Sequence, residues 1–177
     1  WNPMNLSFRP LTKAEIEEFF TWRYPPPYDI YNLGETPSAV DFAYYLEPRY
    51  RFHAMIEHGA VADGTVADGT VDHHGTLVGF CSFGEDGQVA GGDYRSDALD
   101  IGLALRPNHT DQGKGIDYVR QVIAFALVTY EPNALRVTIA AFNQRAQKVW
   151  RRAGFVEVSR FESTWNGQPF IVYRCDG

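Results

Sequence analysis

Two periodicities meet between Leu99 and Tyr130, and few folds accept both in so short a stretch. Leu99, Ile101, Leu103 and Leu105 alternate with Asp100, Gly102 and Ala104, the period of two expected of a half-buried strand. Arg106-Pro107 closes that run. Ile116, Val119, Ile123, Leu127 and Tyr130 then recur at helical spacing, which predicts a helix from about Gly113 to Tyr130 with those residues on its buried face. Between the two lies Gln112-Gly113-Lys114-Gly115-Ile116-Asp117. Glycines at a helix start let backbone N–H groups approach a ligand closely, and the helix dipole adds partial positive charge there. The natural occupant of such a loop is an anion, a diphosphate above all.

The flanking sequence supplies the other elements. Asn5 to Arg9 alternates as a first strand. Thr12 with Glu15 three residues on reads as a capping box opening a helix whose apolar face is Ile16, Phe19 and Phe20. Pro25-Pro26-Pro27 ends it. The stiff aromatic segment Trp22 to Tyr31 is a proline-rich ligand for a partner's groove on one reading. An ordered loop packed on its own domain is the reading preferred. A second helix is expected over Ser38 to Leu46, then strands over Phe52 to Glu57 and Thr76 to Phe83. The tandem Val61-Ala62-Asp63-Gly64-Thr65 and Val66-Ala67-Asp68-Gly69-Thr70 between those strands reads as an enlarged turn. The adjoining His73-His74 pair lacks a framing carboxylate or cysteine pattern, so no metal is expected.

Gly84 to Ser96 is a polar, glycine-rich loop. Leu135, Val137 and Ile139 alternate as a further strand, and Asn143 opens a helix with the stripe Ala146, Val149, Trp150 and Ala153, stopped by Gly154. Phe155 to Phe161 and Phe170 to Arg174 read as a closing hairpin through Asn166-Gly167. The order is strand, two helices, three strands, helix, strand, helix, two strands. This is a mixed α/β (α+β) domain rather than a doubly wound one.

Composition bounds the partners. With 177 residues the expectation is one domain, 1–177, holding its own core. A formal charge of −6 and the lack of any Lys/Arg run argue against a nucleic-acid partner. No apolar stretch approaches a membrane span, and no basic-then-apolar leader opens the chain. The chain starts at Trp1, so either residues precede it or Met4 is the initiator. Cys81 and Cys175 sit in no pairing pattern and read as reduced thiols, the expectation for a cytoplasmic protein.

Three nucleotide motifs compete for the glycine loop. A Walker loop needs Ser or Thr after the lysine and an upstream glycine in register; Lys114 is followed by Gly115. A dinucleotide fingerprint needs glycine where Tyr118 stands. The loop resembles instead the acyl-CoA loop of the GNAT superfamily of N-acetyltransferases, Gln/Arg-x-x-Gly-x-Gly/Ala. The resemblance extends upstream over Asp100 to Pro107. Downstream it takes in Asn143-Gln144-Arg145-Ala146-Gln147-Lys148-Val149-Trp150-Arg151-Arg152-Ala153-Gly154-Phe155.

That resemblance implies a mostly antiparallel mixed sheet of about seven strands with four helices, splayed at the cofactor strands. It implies acetyl-CoA as cosubstrate and direct transfer of the acetyl group to an amine, a small molecule or a protein amino group, without a covalent enzyme intermediate. Leu103, Ala104 and Leu105 would then meet the pantetheine arm. Gln112, Gly113, Lys114, Gly115, Ile116 and Asp117 would surround the pyrophosphate, and Asn143, Ala146 and Trp150 would line the same site. Lys148 and Arg151 would approach the 3′-phosphate. Two departures stand out. Asp117 replaces Gly or Ala beside the diphosphate, and Trp150 replaces the tyrosine that often protonates the leaving thiolate. Indole N–H is no acid near neutral pH, so the thiolate leaves unaided or another residue protonates it.

No Cys/His signature or Gly-x-Ser-x-Gly elbow offers a nucleophile, in keeping with direct attack by the amine. Asp100 is the expected general base, and Tyr28, Asp29, Tyr31 and Tyr173 are expected acceptor contacts. The aromatic loop Trp22 to Tyr31 would border the acceptor. The alternative is a non-catalytic CoA-sensing or interaction domain, motivated by Asp117 and Trp150. A homodimer is a further expectation from the family.

Overall fold

The computed structural model describes residues 4–59, 75–109 and 113–177. The Val61–Thr70 repeat, the His73-His74 pair and Gln112 lie outside the described residues. Strands Asn5–Pro10 (β1), His53–His58 (β2), Thr76–Phe83 (β3), Leu99–Leu105 (β4), Ala134–Ala140 (β5), Val156–Glu162 (β6) and Pro169–Asp176 (β7) form one sheet in the order β1-β2-β3-β4-β5-β7-β6. Helices Lys13–Phe20 (α1), Ala39–Tyr45 (α2), Gly115–Tyr130 (α3) and Gln144–Arg152 (α4) cover it. Among these helices none is long and apolar enough to cross a membrane.

Local chemistry sets the helix starts. Thr12 and Glu15 form the expected capping box, with the Thr12 N–H donating to Glu15 Oε2 at 2.8 Å. Ser38 and Asp41 do the same for α2. Asn143 caps α4 by accepting from the Ala146 N–H at 3.0 Å. Gly154, at φ 101°, ends that helix as its spacing predicts.

The sheet carries a different core on each face. Under α3 and α4 lie Met55, Cys81, Phe83, Ile101, Val137, Ile139 and Trp150. Under α1 lie Phe52, Ala54 and Ile56 against Ile16, Phe19, Phe20 and Trp22. Burying one such side chain contributes about 1.5–3 kcal/mol, so both faces are held mainly by apolar burial. Helix α3 is rotated from the expected register. Its buried residues are Ile116, Tyr118, Val119, Val122 and Ala126, whereas Leu127 is 40% exposed. The reason is Tyr118, whose ring is buried because its hydroxyl has a partner, donating to Glu57 Oε2 on β2 at 2.9 Å.

Every neighbouring pair of strands is antiparallel except β4 and β5. Those two run parallel and pair only at Leu99 with Leu135 and at Asp100 with Arg136. Beyond that point they diverge, as the splay implied by the GNAT resemblance requires. The last paired position is locked by charge. Arg136 Nε and Nη2 donate to the two carboxylate oxygens of Asp100 at 2.7 and 2.8 Å, and both side chains are 3% exposed. Gln88 Nε2 also donates to Asp100 at 2.9 Å, and Arg136 Nη1 donates to Ser96 Oγ at 2.9 Å. The Tyr94 ring lies 4.9 Å from the guanidinium carbon.

A buried bidentate pair of this kind gives little net stability over an apolar pair, but removing one partner strands the other charge. Arg136→Met alone is therefore expected to lower the unfolding free energy by about 3–5 kcal/mol. The double change Asp100→Leu with Arg136→Met should recover most of that loss, as read by urea unfolding.

Candidate active site

The divergence of β4 and β5 opens a cavity of about 440 Å³ that reaches both faces of the sheet. Its walls follow from strand alternation. Arg106 N–H donates to Val78 O at 2.8 Å and Gly84 N–H to Asp100 O at 2.9 Å, so the even-numbered residues of β4 bond to β3. Leu99 and Ile101 therefore make the last bridge to β5, and beyond it Leu103 and Leu105 turn their N–H and C=O groups toward β5, where the ladder has stopped. These are backbone groups without a strand partner beside an open cavity, the arrangement an amide-bearing chain such as pantetheine can fill.

On the α3–α4 face the lining comprises Gly115 and Val119 of α3, Val137 and Ile139 of β5, and Ala146, Val149 and Trp150 of α4. Gly113, at φ 70°, turns the chain into α3, and Lys114 caps it in helical conformation. The first N–H groups of α3 thus lie at the cavity's edge, where an anion is stabilised. Lys148 is exposed on α4.

The other face is aromatic. Phe19, Trp22, Tyr24, Tyr28, Tyr31, Leu33 and Phe80 line it. The loop carrying Trp22 to Tyr31 roofs the splay through specific contacts. The Tyr24 hydroxyl donates to Leu105 O at 2.6 Å, and Asn143 Nδ2 donates to the Tyr31 hydroxyl at 3.3 Å. Tyr31 stacks on Phe142 with centroids 5.9 Å apart, and the Arg145 guanidinium lies 4.1 Å from the Tyr28 ring centroid. Burial pushes the Tyr24 pKa up to about 12 and raises that of Tyr31. The Trp22 Nε1–H is buried and has no hydrogen-bond partner among the described residues.

Among the described residues a single carboxylate, Asp86, lines this cavity. It sits in a 3₁₀ turn, Glu85–Gly87, directly after β3. Ser82 Oγ donates to its Oδ2 at 2.5 Å, and the Tyr44 hydroxyl donates to its Oδ1. Gly102 faces the same spot. A Cβ there would collide with Ser82 Oγ and lie 3.1 Å from Asp86 Oδ2. Glycine on β4 is what lets the carboxylate close over the strand.

The expected site residues divide accordingly. Leu103, Ala104, Leu105, Gly115, Asn143, Ala146, Trp150, Tyr28 and Tyr31 are brought together around the cavity. Gly113 and Lys114 lie on the approach to α3, and Ile116 and Asp117 in its first turn, none of them in the lining. Asp117 is half-exposed, with Oδ1 4.0 Å from Arg120 Nη1. Leu105 differs from expectation in one respect, since its carbonyl already accepts from Tyr24. Asp29 is exposed and outside the lining. Tyr173 is fully buried, its hydroxyl donating to Gln147 Oε1 at 3.2 Å, which leaves it no contact with an acceptor. Asp100 needs correction as the general base. Both its oxygens are held by Arg136 in the core, and a carboxylate so engaged has no lone pair facing the cavity. Asp86 was hidden among the polar residues of the Gly84–Ser96 loop. The available signal was Gly102, a strand glycine with no turn to explain it.

A family model described as Acetyltransferase (GNAT) domain matches residues 5–156, and the chain belongs to that family. The class that this fold and this match define is that of the GNAT acetyltransferases. Among solved structures, it is similar to the spermidine N-acetyltransferase from Vibrio cholerae in complex with CoA and spermine. That match has TM-score 0.67 and 12% identity over 97% of this chain and 95% of that one. The aminoglycoside acetyltransferase AAC(6')-Ib with coenzyme A matches at TM-score 0.67 and 14% identity, over 97% and 95%. A GNAT-family acetyltransferase from Bacillus anthracis matches at 0.65 and 11%, over 97% and 94%. At such identities these likenesses speak for the fold. Among curated proteins no sequence match is found.

Two changes probe the loop. Gly113→Ala forces a side chain into the left-handed region at a cost of roughly 1–2 kcal/mol, and should weaken CoA binding in calorimetry. Asp117→Ala removes a charge from the first turn of α3 without touching the cavity. CoA affinity should stay equal or rise.

Proposed function

We propose that this enzyme delivers acetyl-CoA to the splay from the α3–α4 face and transfers the acetyl group to an amine bound on the aromatic face, with Asp86 as the general base. The observation that carries this reading is the position of Asp86. It is the carboxylate in the cavity lining, at the aromatic wall and beside Gly102 of the cofactor strand.

Acetyl-CoA, when bound, supplies an acyl group activated as a thioester. The protein's residues do the rest. The α3 N–H groups with Gly113 to Ile116 hold the diphosphate, and the free backbone groups of Leu103 grip the pantetheine arm and polarise the carbonyl. Asn143 reaches the same arm from the start of α4. Lys148 and Arg151, both on the outer side of α4, are the cations for the 3′-phosphate. Asp86 accepts a proton from the ammonium, and Ser82 and Tyr44 hold its carboxylate in place.

Direct transfer agrees with the cysteines. Cys81 is buried, and burial pushes its thiol pKa far up, so it is no nucleophile. Trp150 provides no acid, and the raised pKa values of Tyr24 and Tyr31 make those hydroxyls poor ones. A thiolate is a good enough leaving group to depart unaided. Within this reading residues 1–177 act as one cytoplasmic domain, in keeping with the two free cysteines. The homodimer expected of the family is open to direct measurement by light scattering.

The non-catalytic alternative predicts CoA binding without turnover on any amine. The catalytic reading predicts that Asp86→Asn lowers kcat by about 10²–10⁴, the usual contribution of a positioned base. The rise in melting temperature caused by CoA should be unchanged in that variant, since Asp86 lies off the cofactor's path. Retained turnover in Asp86→Asn would remove Asp86 from the chemistry.

A further inference from the structure

Resting on the reading of this cavity as an acetyl-transfer site, we infer that the acceptor is a monoamine with an aromatic or bulky apolar body, and that polycationic amines are poor substrates. The acceptor wall is built from Phe19, Trp22, Tyr28, Leu33 and Phe80. Phe80 stacks on Phe19 with centroids 4.3 Å apart and on Trp22 at 6.1 Å, so this wall is a continuous ring surface and not a set of isolated side chains. Against it, among the described residues, stands one carboxylate, Asp86. One ammonium is matched there by one opposite charge.

A second ammonium on the same molecule has no such match. Asp29, next to Tyr28 in sequence, is exposed and outside the lining. The acids paired with arginine nearby, Asp100 with Arg136 and Glu18 with Arg106, are already neutralised. A further cation placed between the rings loses its hydration with only ring faces in return, and unpaired buried charge is among the costliest groups a site can take in. The other charged residue in the lining is itself a cation, Arg145, seated on Tyr28. An apolar body meets the opposite situation, because each ring it covers releases water.

The test compares kcat/KM for acetylation of phenethylamine, n-hexylamine, spermidine and paromomycin by the intact protein, read as free thiol released from acetyl-CoA. Phenethylamine should exceed spermidine and paromomycin by about tenfold or more, the range one pocket contact provides. A preference for either polycation overturns the inference and leaves the acetyltransferase reading standing. Failure of every amine, with CoA still raising the melting temperature, overturns that reading and this inference with it. Leu33→Glu, which adds a second carboxylate to the wall, should shift the ratio toward spermidine by about tenfold. An unchanged ratio in that variant, once circular dichroism shows it folded, would also overturn the inference. If it does not fold, the wild-type panel decides.

Discussion

The buried ion pair between Asp100 and Arg136 sits where two parallel strands stop being a sheet. Up to that pair, β4 and β5 are hydrogen-bonded neighbours; after it they part and the cavity begins. Coulomb attraction in a water-excluded setting fixes the two strands in one register, and Gln88, Ser96 and Tyr94 satisfy the remaining polar atoms. The pair's contribution lies less in net stability than in position. It permits a sheet of seven strands to hold an opening in its middle without fraying along its length.

The opening matters because it joins two chemically different faces. One side carries glycines, a helix start and the small residues of α4, a setting for an anionic, amide-bearing cosubstrate. The other carries stacked rings around one carboxylate. A cavity confined to one face would have brought only one substrate to the strand. In the proposed reading, the diverging backbone lets the thioester end of one ligand and the amine of another meet at Leu103 and Asp86, whose neighbour Gly102 also lines the cavity.

Much of this was legible in the residues. Thr12 with Glu15 announced a helix start, because a cap is a local hydrogen-bond pattern written within four positions. The alternation of Leu99 to Leu105 and the Gly113–Gly115 loop marked the cofactor elements for the same reason. The roles of single side chains were less legible. Asp100 looked like a base, since an acid at the start of a cofactor strand gives no sign of its partner, and Arg136 lies on another strand. Tyr173 looked like an acceptor contact, but the register of β5 with β7 buries it beneath α4. Leu127 was expected inside, yet the Tyr118 hydroxyl bond to Glu57 turned α3 another way.

The sequence by itself determined the element order, the mixed α/β class and the glycine turn before α3, since each rests on periodicity, capping and glycine placement over a few adjacent residues. Only the tertiary structure decided which acid faces the cavity. Asp86 and Asp100 are both acids near the ends of neighbouring strands, and nothing in their local sequence separates them. What separates them is a guanidinium brought in from 36 positions away, which engages one carboxylate and leaves the other in the cavity lining. Long-range pairing of that kind depends on strand register, and register is a property of the folded sheet as a whole.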